Sequence, residues 1–112
     1  MTQEDTADAP RLRRGVRLGV DVGSVRVGLA RCDADGILAT PVRTVRRSPD
    51  GSDVREVVAE ARELDALEIL VGLPRGLSGR EGAAAASARG YAERIAAAAA
   101  PIPVRLVDER LT

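Results

Sequence analysis

Residues 17–31 read Arg-Leu-Gly-Val-Asp-Val-Gly-Ser-Val-Arg-Val-Gly-Leu-Ala-Arg, and the rest of the chain is organised around them. Side chains alternate between the two faces of a strand. Leu18, Val20 and Val22 therefore share one face, while Gly19, Asp21 and Gly23 share the other, where Asp21 is the only side chain. An ionised carboxylate inside a sheet is costly unless it is paired, hydrogen-bonded or bound to a metal. Glycines beside it let a backbone or a ligand come close. The pattern has the character of a site rather than of a core.

Working outward from this stretch, strand one covers about 17–22 and strand two about 25–32, joined as a hairpin. Asp33-Ala34-Asp35-Gly36 is a second hairpin turn signal leading into strand three, Ile37 to about Val45. Pro41 lies inside strand three, and proline cannot donate to a ladder, so strand three belongs at a sheet edge. Asp53 and Glu56 form a D-x-x-E helix start. Val54, Val57, Val58, Ala61 and Leu64 then mark an amphipathic helix over 53–65. Leu67 to Leu73 is nearly continuous in apolar residues, the pattern of a central parallel strand buried on both faces by helices. A Gly-rich loop with Gly76, Gly79 and Gly82 follows, and within it Ser78 and Glu81 form a capping box. The second helix is expected over about 80–100 with Ala84, Ala88, Tyr91, Ile95 and Ala98 on one face, stopped by Pro101 and Pro103. Strand five, Val104 to Val107, leads into Asp108-Glu109-Arg110.

The order β-β-β-α-β-α-β, with two hairpins and two right-handed crossovers, predicts a mixed five-stranded sheet in the order 3-2-1-4-5. Ligands of open α/β sheets sit beyond the carboxyl ends of the parallel strands. There Asp21, the 72–79 loop and Asp108-Glu109 converge.

Composition narrows the chemistry. The 112 residues suit one domain, and 17 basic residues balance 17 acidic ones. The net charge therefore points to neither nucleic acid nor membrane. Every basic residue is arginine, and the chain has no Lys, His, Asn, Phe or Trp, a bias that GC-rich codon usage accounts for. These absences remove Walker A loops, Schiff bases, histidine-paired nucleophiles and histidine metal cages. Carboxylate, arginine and backbone chemistry remain. The single Cys32 has no disulfide partner in the chain, which fits a reducing compartment and a buried role. No apolar run approaches the ~20 residues of a membrane span, and the acidic N-terminus is no signal peptide. The expected location is cytoplasmic. Residues 1–14, acidic and then arginine-rich, read as a disordered arm before a domain over 15–112.

The strand order with an acid on strand one resembles the ribonuclease H-like fold. Four motifs are more specifically similar to the YqgF/RuvX family of Holliday-junction resolvases and pre-16S rRNA nucleases. They are GVDVGSVRVGLA at 19–30, ILATP at 37–41, VGLP at 71–74 with Gly79 downstream, and DERLT at 108–112. D-x-G-x-x-x-x-G alone is weak, being shared with actin-like ATPases; the four motifs in order are specific.

The resemblance implies a metal-dependent nuclease using Mg²⁺ or Mn²⁺ and acting on structured nucleic acid, with 5′-end processing of pre-16S rRNA in ribosome biogenesis ahead of resolution of branched DNA in recombination. It makes Asp21 a catalytic metal ligand and an acid of the D-E-R motif, Glu109 or Asp108, the second, with Glu109 preferred by analogy. The family pattern continues into a last helix with a further Asp that has no counterpart in these residues. The expectation is therefore a ribonuclease H-like domain lacking that helix, with a catalytically inactive nucleic-acid-binding module as the alternative. Divalent-metal hydrolysis needs hard oxygen ligands holding metals about 4 Å apart, which carboxylates from neighbouring strands can provide.

Arg26, Arg75 and Arg110 could each hold a phosphate bidentately or pair with a nearby acid. Ser24, Gly76, Ser78 and Gly79 could offer backbone N–H groups to phosphate, and Ser78 equally fits a plain helix cap. Arg43, Arg46 and Arg47 could form a nucleic-acid track or simply a charged edge that blocks aggregation. Tyr91, the lone aromatic residue, falls on the core face of its helix, so no stacking platform for single strands exists. Half of an actin-like ATPase is the competing class, and it requires a second phosphate motif and a second domain. A monomer and a homodimer are both compatible with the sequence.

Overall fold

A computed structural model describes residues 15–33, 39–74 and 82–108. The expected arm, the Asp33–Gly36 turn beyond its first residue, the Ser78/Glu81 capping box, Arg75, Gly76, Gly79, Glu109 and Arg110 lie outside these residues.

Five strands form one sheet in the order β3-β2-β1-β4-β5, with β1 Arg17–Val22, β2 Arg26–Cys32, β3 Ala39–Arg46, β4 Ile69–Leu73 and β5 Val104–Asp108. The hairpin strands β1, β2 and β3 pair antiparallel, and β1, β4 and β5 pair parallel. Strand β3 is an edge, as Pro41 requires. The β2–β3 register shifts at Leu29/Ala30, and Pro41 is the partner of Ala30 on the far side of that shift. The proline thus sits where the ladder is already irregular.

The crossovers β3-α1-β4 and β4-α2-β5 both step the same way across the sheet. Right-handed connections in one direction put both helices on one face. Helices α1 (Ser52–Glu63) and α2 (Ala83–Ala99) accordingly share a core with Leu18, Val20, Val27, Leu29, Val45, Ile69, Val71 and Leu73. This corrects the expectation that β4 is covered on both sides. Ile69, Val71 and Leu73 are buried under the helices, while Leu70 and Gly72 face the opposite side, which no described helix covers, and are only half-buried.

Two details of the helices also differ from expectation. Helix α1 begins at Ser52, after Gly51 at φ 82°, and its entry is tied by Asp50, whose Oδ1 accepts from the Ser52 N–H at 2.9 Å and the Ser48 hydroxyl at 2.6 Å. These hydrogen bonds hold the Asp50 carboxyl down at about 2. Asp53, read as part of the start signal, does stand in the first turn but is also buried, without capping the helix. Helix α2 starts at Ala83 rather than at residue 80, and it buries Ala85, Ala88, Tyr91, Ala92, Ile95 and Ala99 while exposing Ala84 and Ala98. The stripe through 88, 91 and 95 is as expected. At the ends, runs of alanine give periodicity no contrast with which to choose the face.

Candidate active site

Asp21 stands near the carboxyl end of β1 on the uncovered face, opposite Gly28 of β2. It is exposed, because that face carries no helix among the described residues. The expectation of a buried, costly carboxylate is therefore corrected. Asp21 is set apart by its surroundings rather than by desolvation, and its carboxylate makes no hydrogen bond or ion pair with another described residue.

The floor around it is made of glycines. A Cβ on Gly28 would lie 3.8 Å from the Asp21 Cβ, and one on Gly72 would lie 3.7 Å from the Val20 carbonyl oxygen. Both additions are sterically ordinary, so these glycines leave open space beside the acid rather than relieve a clash. Gly23 differs. Its N–H donates to the Arg26 carbonyl at 2.9 Å, and a Cβ there would lie 2.7 Å from that same oxygen. Only glycine closes this turn, which presents exposed Ser24, Val25 and Arg26 at the Asp21 end of the sheet.

Arg47 ties the turn to the body of the protein. Its backbone N–H donates to the Val25 carbonyl at 2.9 Å, and its Nη1 donates to the Gly23 carbonyl at 3.0 Å and to Ser87 Oγ at 3.3 Å. Its guanidinium also lies 5.1 Å from the centroid of the Tyr91 ring, as does that of Arg94. The Tyr91 hydroxyl donates to Asp53 Oδ2 at 2.9 Å, joining the two helices where both residues are buried. Burial, and then the Asp53 hydrogen bond, push the Tyr91 hydroxyl well above its ordinary range. Asp53 Oδ1 is buried without a hydrogen-bond partner among the described residues. D-x-x-E patterning concealed this role, because a helix-start acid and an interhelical acid look alike in sequence.

Asp108 closes β5 opposite Leu73. Leu73 is buried on the helical side, so register places Asp108 on that side, away from the face that carries Asp21. This counts against Asp108 as the acid sharing a ligand with Asp21. Among the described residues no three carboxylate, cysteine or histidine side chains converge. The expected arginine track divides. Arg43 is occupied by Glu56 at 2.6 Å and Glu60 at 3.8 Å, and Arg47 is committed to the turn. Arg46 is exposed and lies directly across from Arg26. Only knowledge of register reveals that pairing. Cys32 is buried beneath Gly19, as expected, and burial pushes its thiol up. No helix among the described residues is long and apolar enough to cross a membrane.

Residues 15–112 match the profile of a family described as RuvX, Holliday junction resolvase. A Streptomyces coelicolor relative, provisionally named a pre-16S rRNA nuclease, is 54% identical over 114 residues, covering 98% of this chain and 66% of its own length. A Kineococcus radiotolerans relative of the same name is 57% identical, and the chain spans 54% of it. Among solved structures, Thermus thermophilus RuvC in complex with a Holliday junction substrate superposes with a TM-score of 0.56 at 19% identity, covering 86% of this chain and 66% of that one. At that identity the likeness shows the ribonuclease H-like fold.

Proposed function

The chain belongs to the RuvX family, and from that premise we propose that it takes part in metal-dependent hydrolysis of phosphodiester bonds in structured nucleic acid, with 5′-end processing of pre-16S rRNA as its reaction. The observation that carries this reading is Asp21 itself: an exposed carboxylate with no partner among the described residues, on a glycine floor at the carboxyl end of the first strand. The names of the relatives favour rRNA over a DNA junction.

Hard divalent cations prefer carboxylate oxygen, and Asp21 offers two such atoms that no described residue occupies. Mg²⁺ or Mn²⁺ would be held by Asp21 and, in this reading, by Glu109. The placement of Asp108 on the helical side favours Glu109 as the second acid. A bound cation would supply Lewis-acid charge to the phosphoryl oxygens. Arg26, at the exposed rim, orients the phosphodiester. Ser24, with Arg75, Gly76, Gly79 and Arg110, completes the proposed phosphate contacts. The open glycine floor lets the substrate backbone approach the carboxylate without side-chain obstruction. A bacterial cytoplasm suits both the substrate and a reduced Cys32.

The test is to incubate the protein with a pre-16S rRNA 5′-leader and with a four-way DNA junction, each with Mg²⁺ and with EDTA. The expected outcome is Mg²⁺-dependent cleavage of the RNA. Asp21→Asn should reduce it by more than ~100-fold with an unchanged circular dichroism spectrum, since even groups that only support metal ligands cost 10–100-fold. Cleavage by Asp21→Asn at the unaltered rate overturns the assignment, and preference for the junction replaces rRNA processing with resolution.

A further inference from the structure

On the face of the sheet that carries Asp21, Arg26 at the start of β2 and Arg46 at the end of β3 are directly opposed in the ladder. Cross-strand partners bring their Cβ atoms within about 5 Å, and like charges so placed repel. Neither arginine has a carboxylate partner among the described residues, and both are exposed. The sheet is able to neutralise arginines elsewhere: Arg17 and Arg105 share Glu68, and Arg43 shares Glu56 and Glu60. The opposed pair is thus left uncompensated at the end of the sheet where Asp21 lies.

The ladder also fixes its distance from the acid. Asp21 faces Gly28, and Arg26 lies two residues from Gly28 on the same face of β2, about 7 Å along the strand. A phosphodiester chain crossing the β2–β3 edge would meet two guanidinium forks before reaching the carboxylate.

We infer that Arg26 and Arg46 form a two-arginine clamp for consecutive phosphates of a nucleic-acid backbone, with Arg46 a substrate-binding residue. The inference rests on the nucleic-acid reading above and extends it to the path the substrate takes. Arginine suits the role because its planar fork engages phosphate oxygens bidentately and stays charged. The contact is to backbone, so it positions any sequence and discriminates none.

Binding is measured in EDTA, without cleavage, using a labelled RNA stem-loop and a labelled four-way DNA junction over a range of salt concentrations. Each phosphate neutralised contributes about one to the slope of log affinity against log salt. Arg26→Gln and Arg46→Gln should each lower that slope by about one, and the double variant by about two. Arg26→Lys and Arg46→Lys should keep it. Arg31→Gln, which removes an exposed arginine from the other end of β2, should leave it unchanged. The clamp alone is overturned if the unaltered protein binds with salt sensitivity and both glutamine variants retain its slope, or if Arg31→Gln loses as much. Absence of salt-sensitive binding by the unaltered protein overturns the clamp and the nucleic-acid reading together. Thermal unfolding of each variant confirms that the fold is retained.

Discussion

Where the parallel strands begin, Arg17 and Arg105 both close on Glu68, at 2.9 and 3.1 Å; where they finish, Arg26 and Arg46 oppose each other and Asp21 has no partner among the described residues. Both ends are built from the same residue types. One end satisfies its charges internally, and the other leaves them without partners among the described residues. The paired end serves stability, because Glu68 is largely sheltered and bridges β1 to β5 across the start of β4. Under the proposed function, the unpaired end gives up internal pairing for the capacity to bind, as functional sites commonly do.

That contrast can be broken at several points. The largest expected effect on stability comes from the interior joint behind the unpaired end. Tyr91→Phe leaves the buried Asp53 without its donor, and chemical denaturation should show a loss of about 1–3 kcal/mol. A smaller loss would mean that water replaces the hydroxyl. Next is the paired end: Glu68→Gln should cost about 1 kcal/mol, since partly sheltered ion pairs rank little above exposed ones. It should leave nucleic-acid affinity untouched.

Acid provides a third handle on the same group. Hydrogen bonds from Arg105 and then Arg17 outweigh burial and hold the Glu68 carboxyl below its ordinary range. Its contribution is therefore complete above the unfolded-state value of about 4.3 and is lost as pH falls through the lower folded-state value. Unfolding midpoints measured down this range should decline less for Glu68→Gln than for the unaltered protein. The smallest effect belongs to the opposed arginines. Arg46→Gln removes a repulsion and should leave stability unchanged or raise it by a few tenths of a kcal/mol, even as it weakens binding. Simultaneous loss of stability and of affinity would show that the two ends do not differ in kind.

The topology was legible because it rested on strong local constraints: a proline that confines β3 to an edge, two short hairpins, and the handedness of crossovers. Asp21 was legible for a similar reason, since alternation isolates it on a face of glycines. Its exposure was not, because a strand carries no signal for whether a helix covers its second face. Both helices share a side only as a consequence of the strand order. The side taken by Asp108 depends on the β4–β5 register, and the opposition of Arg26 to Arg46 depends on a ladder with a one-residue irregularity between Leu29 and Ala30. Neither is contained in any local pattern. The flanks of α2 were illegible for another reason: alanine on every face gives the helix no preferred one, and only tertiary packing chooses.

Tyr91 is the chain's only aromatic residue, and it lies at the junction of the two helices and, through Arg47, of the turn beside Asp21. The near-ultraviolet optical signal of the folded protein therefore originates at one address. A change at the turn can be followed in the native chain without a label, by light absorbed and emitted at a ring that Arg47 alone separates from it.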